Sequence, residues 1–223
     1  MKNLLAIDTS TEQASVALVV HGVSSCEEQG SQKTHAQVLL PMIDRLINNA
    51  GVHLNQLDGI IFGCGPGSFT GLRIACSIAK GLAYAQDLPL IPISSLAAIA
   101  WAARKELQEE NALVLSVLDA RMNELYWSFF AELEYQAKEQ VNKAEDIRIP
   151  TREPIVLAGG GIDLYWERLP ESIKSLVRYK RPLFPSALAM IEMVSALGIK
   201  PISTAQAQPV YVRNQVTQGD ARG

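Results

Sequence analysis

Four glycines and a proline lie within nine residues of one segment, Gly63–Gly71, which reads GCGPGSFTG and continues with Leu72 and Arg73. An apolar run precedes the segment and a stretch with helical periodicity follows it, so the pattern predicts a strand, a glycine-rich turn and a helix. This order directs backbone N–H groups and a helix N-terminus to one place, where a phosphate could bind. Ser68 or Thr70 could cap the helix. Because neither the Walker A pattern nor the Gly-x-Gly-x-x-Gly pattern fits, a phosphate loop and a structural turn both stay open.

Hydroxyl and carboxyl side chains follow the first apolar run of the chain, at Asp8, Thr9 and Ser10. A strand that ends in Asp-Thr-Ser and returns as a hairpin resembles the first phosphate loop of the actin/Hsp70/sugar-kinase superfold. The resemblance implies that the carboxylate lies beside a metal-bound nucleotide and that the hydroxyls face phosphate. The alternative is that these side chains only satisfy turn amides. A second glycine cluster, Gly159–Gly161, stands where this superfold contacts adenosine.

The histidines and cysteines do not form a recognisable metal or protease motif. The chain has three of each, with no Cys-x-x-Cys and no His-Glu-x-x-His. Gly-x-Ser-x-Gly is also missing, because Ser68 has Pro66 two residues before it and Thr70 two residues after it. We therefore expect no metal site, no catalytic residues and no intrinsic proteolysis.

Composition narrows the class of protein. The chain has 223 residues, 48% of them apolar, which is enough for a sizeable core. Its net charge of −3, without a basic block, disfavours direct binding of nucleic acid. No apolar stretch approaches the roughly 18 residues of a membrane span, and the apolar run after Met1 is too short for a signal peptide. These features favour a cytoplasmic protein without membrane contact.

Two helices are predicted to carry more apolar surface than one packing partner requires. Thr34–Ala50, which contains Pro41 and is followed by Gly51, has an apolar arc about twice as wide as an ordinary surface helix needs. The second helix, predicted over Phe69–Ala85, has an even narrower polar arc than the first helix. One interpretation is that these helices pack on a sheet with one face and on another protein with the opposite face. The alternative is that they are core helices covered on all sides by the same chain. The first interpretation gives a candidate partner interface of Leu39, Met42, Ile43, Leu46, Leu72, Arg73, Cys76, Ala79 and Ala83.

The same local order of elements occurs twice along the chain. Strand, turn and strand are predicted near the N-terminus and again over residues 112–132, which hints at a duplicated domain. We place the boundary in the polar stretch near residue 108, giving domains 1–108 and 109–223. The most polar stretch, Gln136–Arg152, is predicted to be a loosely ordered insertion, and a polar tail begins at about residue 215.

Five segments of the sequence together resemble the TsaB (YeaZ) family, and the resemblance runs from Leu4 to about Asn214. They read AIDTSTEQASVAL, THAQVLLPMIDRL, GCGPGSFTGLRIACSIAKGLA, SVLDARMNELYW and PVYVRN. The resemblance implies an α/β protein with the duplicated actin/Hsp70-like (ASKHA) fold, in which each of two domains has a mixed β-sheet flanked by helices. Family members are non-catalytic paralogues of TsaD, required to form threonylcarbamoyladenosine (t6A) at position 37 of tRNAs that read codons starting with adenine.

The resemblance also implies partners and cofactors. The chain would bind TsaD through its two apolar helices, bind the ATPase TsaE through that heterodimer, contact tRNA only indirectly and form a homodimer when alone. TsaD is known for a His-x-x-x-His metal pair on the first of these helices, whereas here His35 is followed four residues later by Leu39. ATP or ADP is therefore expected only in the complex. Vestigial nucleotide-binding residues would be Asp8, Thr9, Ser10, Gly65, Gly67, Ser68, Gly159 and Gly160.

The alternative is a small-molecule kinase or ATPase of the same superfold. The Asp-Thr-Ser loop favours this function, while the missing histidine and the short chain argue against it.

Overall fold

The chain folds around two five-stranded sheets with the same topology. The structure, a computed structural model, describes residues 2–30, 34–135 and 138–212. Sheet A consists of β1 (Leu4–Asp8), β2 (Gln13–Val20), β3 (Val23–Gly30), β4 (Gly59–Gly65) and β5 (Leu90–Ser94). Sheet B consists of β6 (Val114–Asp119), β7 (Glu124–Phe130), β8 (Gln140–Lys143), β9 (Ile155–Gly159) and β10 (Val177–Arg181). The predicted tail from residue 215 lies outside the described residues.

Strand order and direction repeat between the sheets. Sheet A has the order β3-β2-β1-β4-β5, with β1, β2 and β3 antiparallel and β4 and β5 parallel to β1. Sheet B has the order β8-β7-β6-β9-β10, with the corresponding antiparallel and parallel pairs. The predicted duplication of a mixed sheet is therefore confirmed, and the fold is actin/Hsp70-like.

Helices form three layers, one between the two sheets and one on the outer face of each sheet. The described helices are α1 (His35–Ala50), α2 (Phe69–Ala85), α3 (Ser95–Leu107), α4 (Ile162–Tyr165), α5 (Glu171–Lys174) and α6 (Ala187–Leu197). Because side chains alternate along a strand, β1 sends Leu5 and Ile7 toward α1 and α2, and Leu4 and Ala6 toward α3 and α6. The helices α3 and α6 thus lie between the sheets, and α4 and α5 cover the far face of sheet B.

The chain crosses between the two halves after the predicted boundary. Helix α6 packs on β1 and β2 of sheet A, although it follows all the strands of sheet B. The segment after α6 returns to sheet A, where Ile202 pairs with Leu90 at the edge of β5. The boundary at residue 108 stays a prediction, and any division of the chain must leave the segment after residue 187 in contact with sheet A.

Eight of the nine predicted interface residues are buried inside the chain itself, so the prediction that they face a partner is wrong. The buried set is Leu39, Met42, Ile43, Leu46, Leu72, Cys76, Ala79 and Ala83. The wide apolar arc of α2 has three neighbours within the same chain: the sheet, α1 and the C-terminal segment around Ala207. Small residues such as Ala75 allow the close approach. Of the predicted interface, only Arg73 is exposed.

The first predicted helix is confirmed as α1, with Pro41 in its interior, but one local prediction differs from the structure. The described part of Gln136–Arg152 is not a loose insertion, because it forms edge strand β8 and buries Ala144 and Ile147 against sheet B. Its polar composition reflects the exposed position of an edge strand.

Neighbouring leucines of α1 provide a test of which helix face is buried. Leu39 is fully buried and Leu40 is 49% exposed, so the same substitution should have different effects. We expect Leu39→Ala to lower the free energy of unfolding by about 2–5 kcal/mol, because it removes methyl groups from a packed core. Leu40→Ala should change it by less than about 0.5 kcal/mol. Urea unfolding measures both values, and similar losses for the two variants would contradict this orientation of α1.

Candidate phosphate loop and helix surface

The glycine-rich segment forms a tight connection between β4 and α2. Ser68 precedes the helix, and its Oγ accepts a hydrogen bond from the Gly71 N–H at 3.4 Å. Ser68 is therefore the cap that the sequence allowed, and the predicted helix Phe69–Ala85 is confirmed.

The two candidate phosphate segments bond to each other. The Ser68 N–H donates to the Ser10 carbonyl at 2.7 Å. The Thr9 hydroxyl donates to the Gly71 carbonyl at 2.8 Å. Thr9 and Ser10 are buried in this contact. The Thr9 hydroxyl and the Ser68 N–H, which could face a phosphate, are thus engaged within the chain.

The glycines make this contact possible because they lack side chains. A Cβ on Gly63 would lie 1.7 Å from Asp8 Oδ2, and one on Gly67 would lie 2.3 Å from the Ser10 carbonyl oxygen. A Cβ on Gly71 would lie 1.8 Å from the Thr9 carbonyl oxygen. Close backbone approach accounts for these three glycines.

Asp8 is a buried carboxylate without a cation partner among the described residues. Its Oδ1 accepts hydrogen bonds from the Ser10 N–H at 2.9 Å and the Ser10 hydroxyl at 2.7 Å, and Ser95 Oγ lies 3.4 Å from Oδ2. Burial raises the pKa of Asp8 to about 6, and the hydrogen bonds from Ser10 and Ser95 only partly offset that rise. Asp8 thus stabilises the turn at the end of β1 through hydrogen bonds rather than through an ion pair.

Sheet B has a corresponding aspartate at the end of its first strand. Asp119 Oδ1 accepts hydrogen bonds from the Tyr165 hydroxyl and the Arg121 N–H, each at 2.8 Å, and the Arg121 guanidinium lies 3.3 Å from Oδ2. Gly159 has a φ of +126°, and a Cβ there would lie 1.9 Å from the Val117 carbonyl oxygen. The first glycine of the predicted adenosine contact is therefore required by strand packing. Gly160 has no such close neighbour, and its nearest contacts are at 3.7 Å.

The histidine retained from the metal motif bonds to the backbone. His35 Nε2 lies 2.7 Å from the Thr11 carbonyl oxygen, which joins the start of α1 to the turn after β1. Within residues 2–30, 34–135 and 138–212, no group of three or more His, Cys, Asp or Glu side chains is arranged to hold a metal ion. Across the same residues, no helix has the length and apolar character needed to cross a membrane.

The solvent-facing side of α2 combines aromatic, cationic and aliphatic side chains. The exposed Phe69, Arg73, Ser77 and Tyr84, together with the half-exposed Ile74 and Ile78, belong to this side, and we call this set the α2 outer face. The Arg73 guanidinium carbon lies 3.6 Å from the centre of the Phe69 ring. Arg73 Nε also donates to the Tyr211 hydroxyl at 3.1 Å, so the C-terminal segment contributes to this surface. The interface prediction missed the aromatic residues of this face. The four-residue spacing of Phe69, Arg73 and Ser77, which places them on one side of the helix, was the sequence pattern that could have indicated it.

Several known proteins similar to this chain carry the name TsaB. The family model for TsaD, tRNA N6-adenosine threonylcarbamoyltransferase, matches residues 28–163. The tRNA threonylcarbamoyladenosine biosynthesis protein TsaB of Haemophilus influenzae is 38% identical, over 96% of this chain and 94% of the relative. TsaB of Escherichia coli is 33% identical, over 96% of this chain and 95% of the relative. The chain belongs to the TsaB family. The solved structure of YeaZ from Pseudomonas aeruginosa, 37% identical, superposes with a TM-score of 0.83 over 95% of this chain and all of that one.

Two glycines of α2 provide a matched test of the loop contact. Gly71→Ala should lower the free energy of unfolding by about 3 kcal/mol or more, because the Thr9 backbone must move away from the new methyl group. Gly81 lies in the same helix with no atom within 4 Å of a Cβ, so Gly81→Ala should raise stability by up to about 1 kcal/mol. Chemical denaturation measures both, and a tolerated Gly71→Ala would contradict the close approach.

The raised pKa of Asp8 predicts a pH-dependent stability. Between pH 3.8 and about 6 the folded chain retains a proton that the unfolded chain releases, so the carboxylate lowers stability as pH rises through this window. Asp8→Asn removes the titration. Relative to the unmodified chain, the variant should therefore gain about 2 kcal/mol between pH 4 and pH 7. Urea unfolding at several pH values measures the difference. Asp44→Asn, at an exposed site on α1, is the control, and equal slopes for Asp8→Asn and the unmodified chain would disprove the assignment.

Proposed function

We propose that this protein is a non-catalytic subunit required for t6A formation at position 37 of tRNAs that read codons starting with adenine. The observation that carries the proposal is the direct bonding between the Asp8–Ser10 turn and the start of α2. In a chain of the TsaB family, this contact occupies the Thr9 hydroxyl and the Ser68 N–H, two of the groups with which the superfold would hold a phosphate. The chain therefore contributes binding surface, and its transferase-type partner contributes the chemistry.

Three features support the absence of an independent nucleotide site. Asp8 is buried, and burial raises its pKa. His35 contacts the Thr11 carbonyl oxygen, and strand packing requires glycine at position 159. ATP or ADP is accordingly proposed to bind only in the complex. Calorimetry of the isolated chain with Mg-ATP separates this proposal from the kinase or ATPase alternative, which requires micromolar binding and turnover.

The α2 outer face is the proposed docking surface for a TsaD-type partner. It presents Phe69, Tyr84 and the half-exposed Ile74 and Ile78, and aromatic and aliphatic side chains of this kind dominate the energy of protein interfaces. The TsaD family model matches residues that include both α1 and α2, so a partner of that family has equivalent helices to offer. Two similar helix pairs packing across a pseudo-two-fold axis also account for a homodimer when the partner is absent.

The remaining roles follow from this arrangement. TsaE is proposed to bind the assembled heterodimer, and tRNA is proposed to reach this chain only through its partner. All of these components act in the cytoplasm.

A single added side chain on the outer face should block docking without disturbing the core. Ser77 is exposed at the centre of the face, so Ser77→Arg adds bulk and charge where the partner helix would pack. We expect the affinity for the TsaD-type partner, measured by calorimetry, to fall about 100-fold and the homodimer to dissociate. Ser172→Arg is the same change at an exposed position of α5 and should have no effect.

Complementation separates the docking surface from the function. In cells depleted of their own TsaB, mass spectrometry of tRNA should show that the unmodified chain and Ser172→Arg restore t6A and that Ser77→Arg does not. If the unmodified chain failed to restore t6A, the proposed function would be wrong. If Ser77→Arg bound the partner with unchanged affinity, the docking surface alone would be wrong.

A further inference from the structure

A cavity lies beside the start of the glycine-rich segment, where Cys64 lines it. It has a volume of about 580 Å³ and is lined by residues at the ends of β4 and β5, by Tyr135 and Glu139 between β7 and β8, and by the C-terminal segment over residues 199–210. The residues that resemble nucleotide contacts, including Asp8, Gly67 and Gly159, do not line it. Its volume is within the range of small-molecule sites.

Glu139 supplies the cavity with a carboxylate that lacks a full set of partners. The Ser94 hydroxyl donates to Glu139 Oε1 at 2.6 Å, which fixes the carboxylate across the gap between the two sheets. Within residues 2–30, 34–135 and 138–212, Oε2 has no hydrogen-bond donor and the carboxylate has no ion pair. Lys200 also lines the cavity but lies beyond ion-pair distance.

No described residue forms an ion pair with Glu139. Burial raises the pKa of Glu139 to about 7, against the opposing effect of the Ser94 hydrogen bond. Cys64 faces it from β4, and burial and the charge of Glu139 raise the pKa of that thiol to about 12, so the thiol stays neutral. Tyr135 on the same connection and Lys200 on the C-terminal segment are the other titratable groups lining the cavity, and Asp8 acts on Cys64 from the other side.

We propose that this cavity binds a small molecule that carries a protonated amine on an apolar stem. The ammonium group would donate to Glu139 Oε2, which supplies the missing positive charge and hydrogen bond. The stem would pack on the aliphatic part of the lining, to which Pro92, Ile202 and Val210 belong. An anionic ligand would meet the carboxylate at the same point, and a neutral one would leave the charge uncompensated.

The first test compares a charged probe with its neutral analogue. Isothermal calorimetry or protein NMR at pH 8 should detect binding of 2-phenylethylamine, with 2-phenylethanol binding at least ten-fold more weakly. Glu139→Gln should weaken amine binding at least ten-fold, because it keeps the shape of the side chain and removes the charge. Glu145→Gln, an exposed position just after β8 that does not line the cavity, should leave binding unchanged.

Two further experiments test whether the amine binds in this cavity and whether its affinity depends on the ionisation of Glu139. Gln208→Trp puts a large ring at the exposed rim while Glu139 is retained, so it should abolish amine binding. The affinity of the unmodified chain should fall about ten-fold from pH 8 to pH 6, since a carboxylate with a pKa of about 7 is mostly protonated at the lower pH. Thermal unfolding verifies that each variant is folded.

Any of three results would overturn the proposal. These are equal binding of 2-phenylethanol and 2-phenylethylamine, unchanged amine affinity in folded Glu139→Gln, and an affinity that does not depend on pH between 6 and 8. Absence of detectable amine binding to the unmodified chain at millimolar concentration would also overturn it.

Discussion

The contact between the Asp8–Ser10 turn and the start of α2 is the constraint on which the first half of the structure depends. It joins the end of the central strand of sheet A to the helix that covers that sheet. Carbonyl oxygens of the turn lie where side chains at Gly67 and Gly71 would otherwise be. Because backbone meets backbone here, the position of α2 on the sheet is fixed by atoms that every residue has, and the sequence must supply glycine to allow it.

The duplicated half reaches a similar geometry with different side chains. Asp119 ends its strand as Asp8 does, but it is partnered by Tyr165 and Arg121 rather than by serine hydroxyls. Gly159 again provides the space for a neighbouring carbonyl. Close packing at the strand ends is therefore common to both sheets, while the partners of the aspartate differ. A shared fold preserves the backbone contact more strictly than the polar groups around it.

Local signals predicted the elements of the chain well, and long-range contacts explain the failures. The cap at Ser68 and the periodicity after it were sufficient to predict α2. The partner of Gly71, however, is Thr9, which lies 62 residues earlier, and no local pattern connects them. Residues 138–152 looked loosely ordered because an edge strand needs few apolar residues to pair. Sequence similarity supplied the family, and residue spacing alone would have left the phosphate reading open.

The helical wheel misled the interface prediction for a physical reason. A wide apolar arc indicates that a helix has several packing neighbours, but it does not indicate whether they belong to the same chain. Helix α2 packs against the sheet, α1 and the C-terminal segment of its own chain. Arg73, Ser77 and Tyr84, which belong to the narrow polar arc of α2, are the residues that remain exposed. For a helix packed this deeply, a docking surface must be sought among amphipathic side chains such as arginine and tyrosine, because they bury apolar surface in a complex and remain soluble without it.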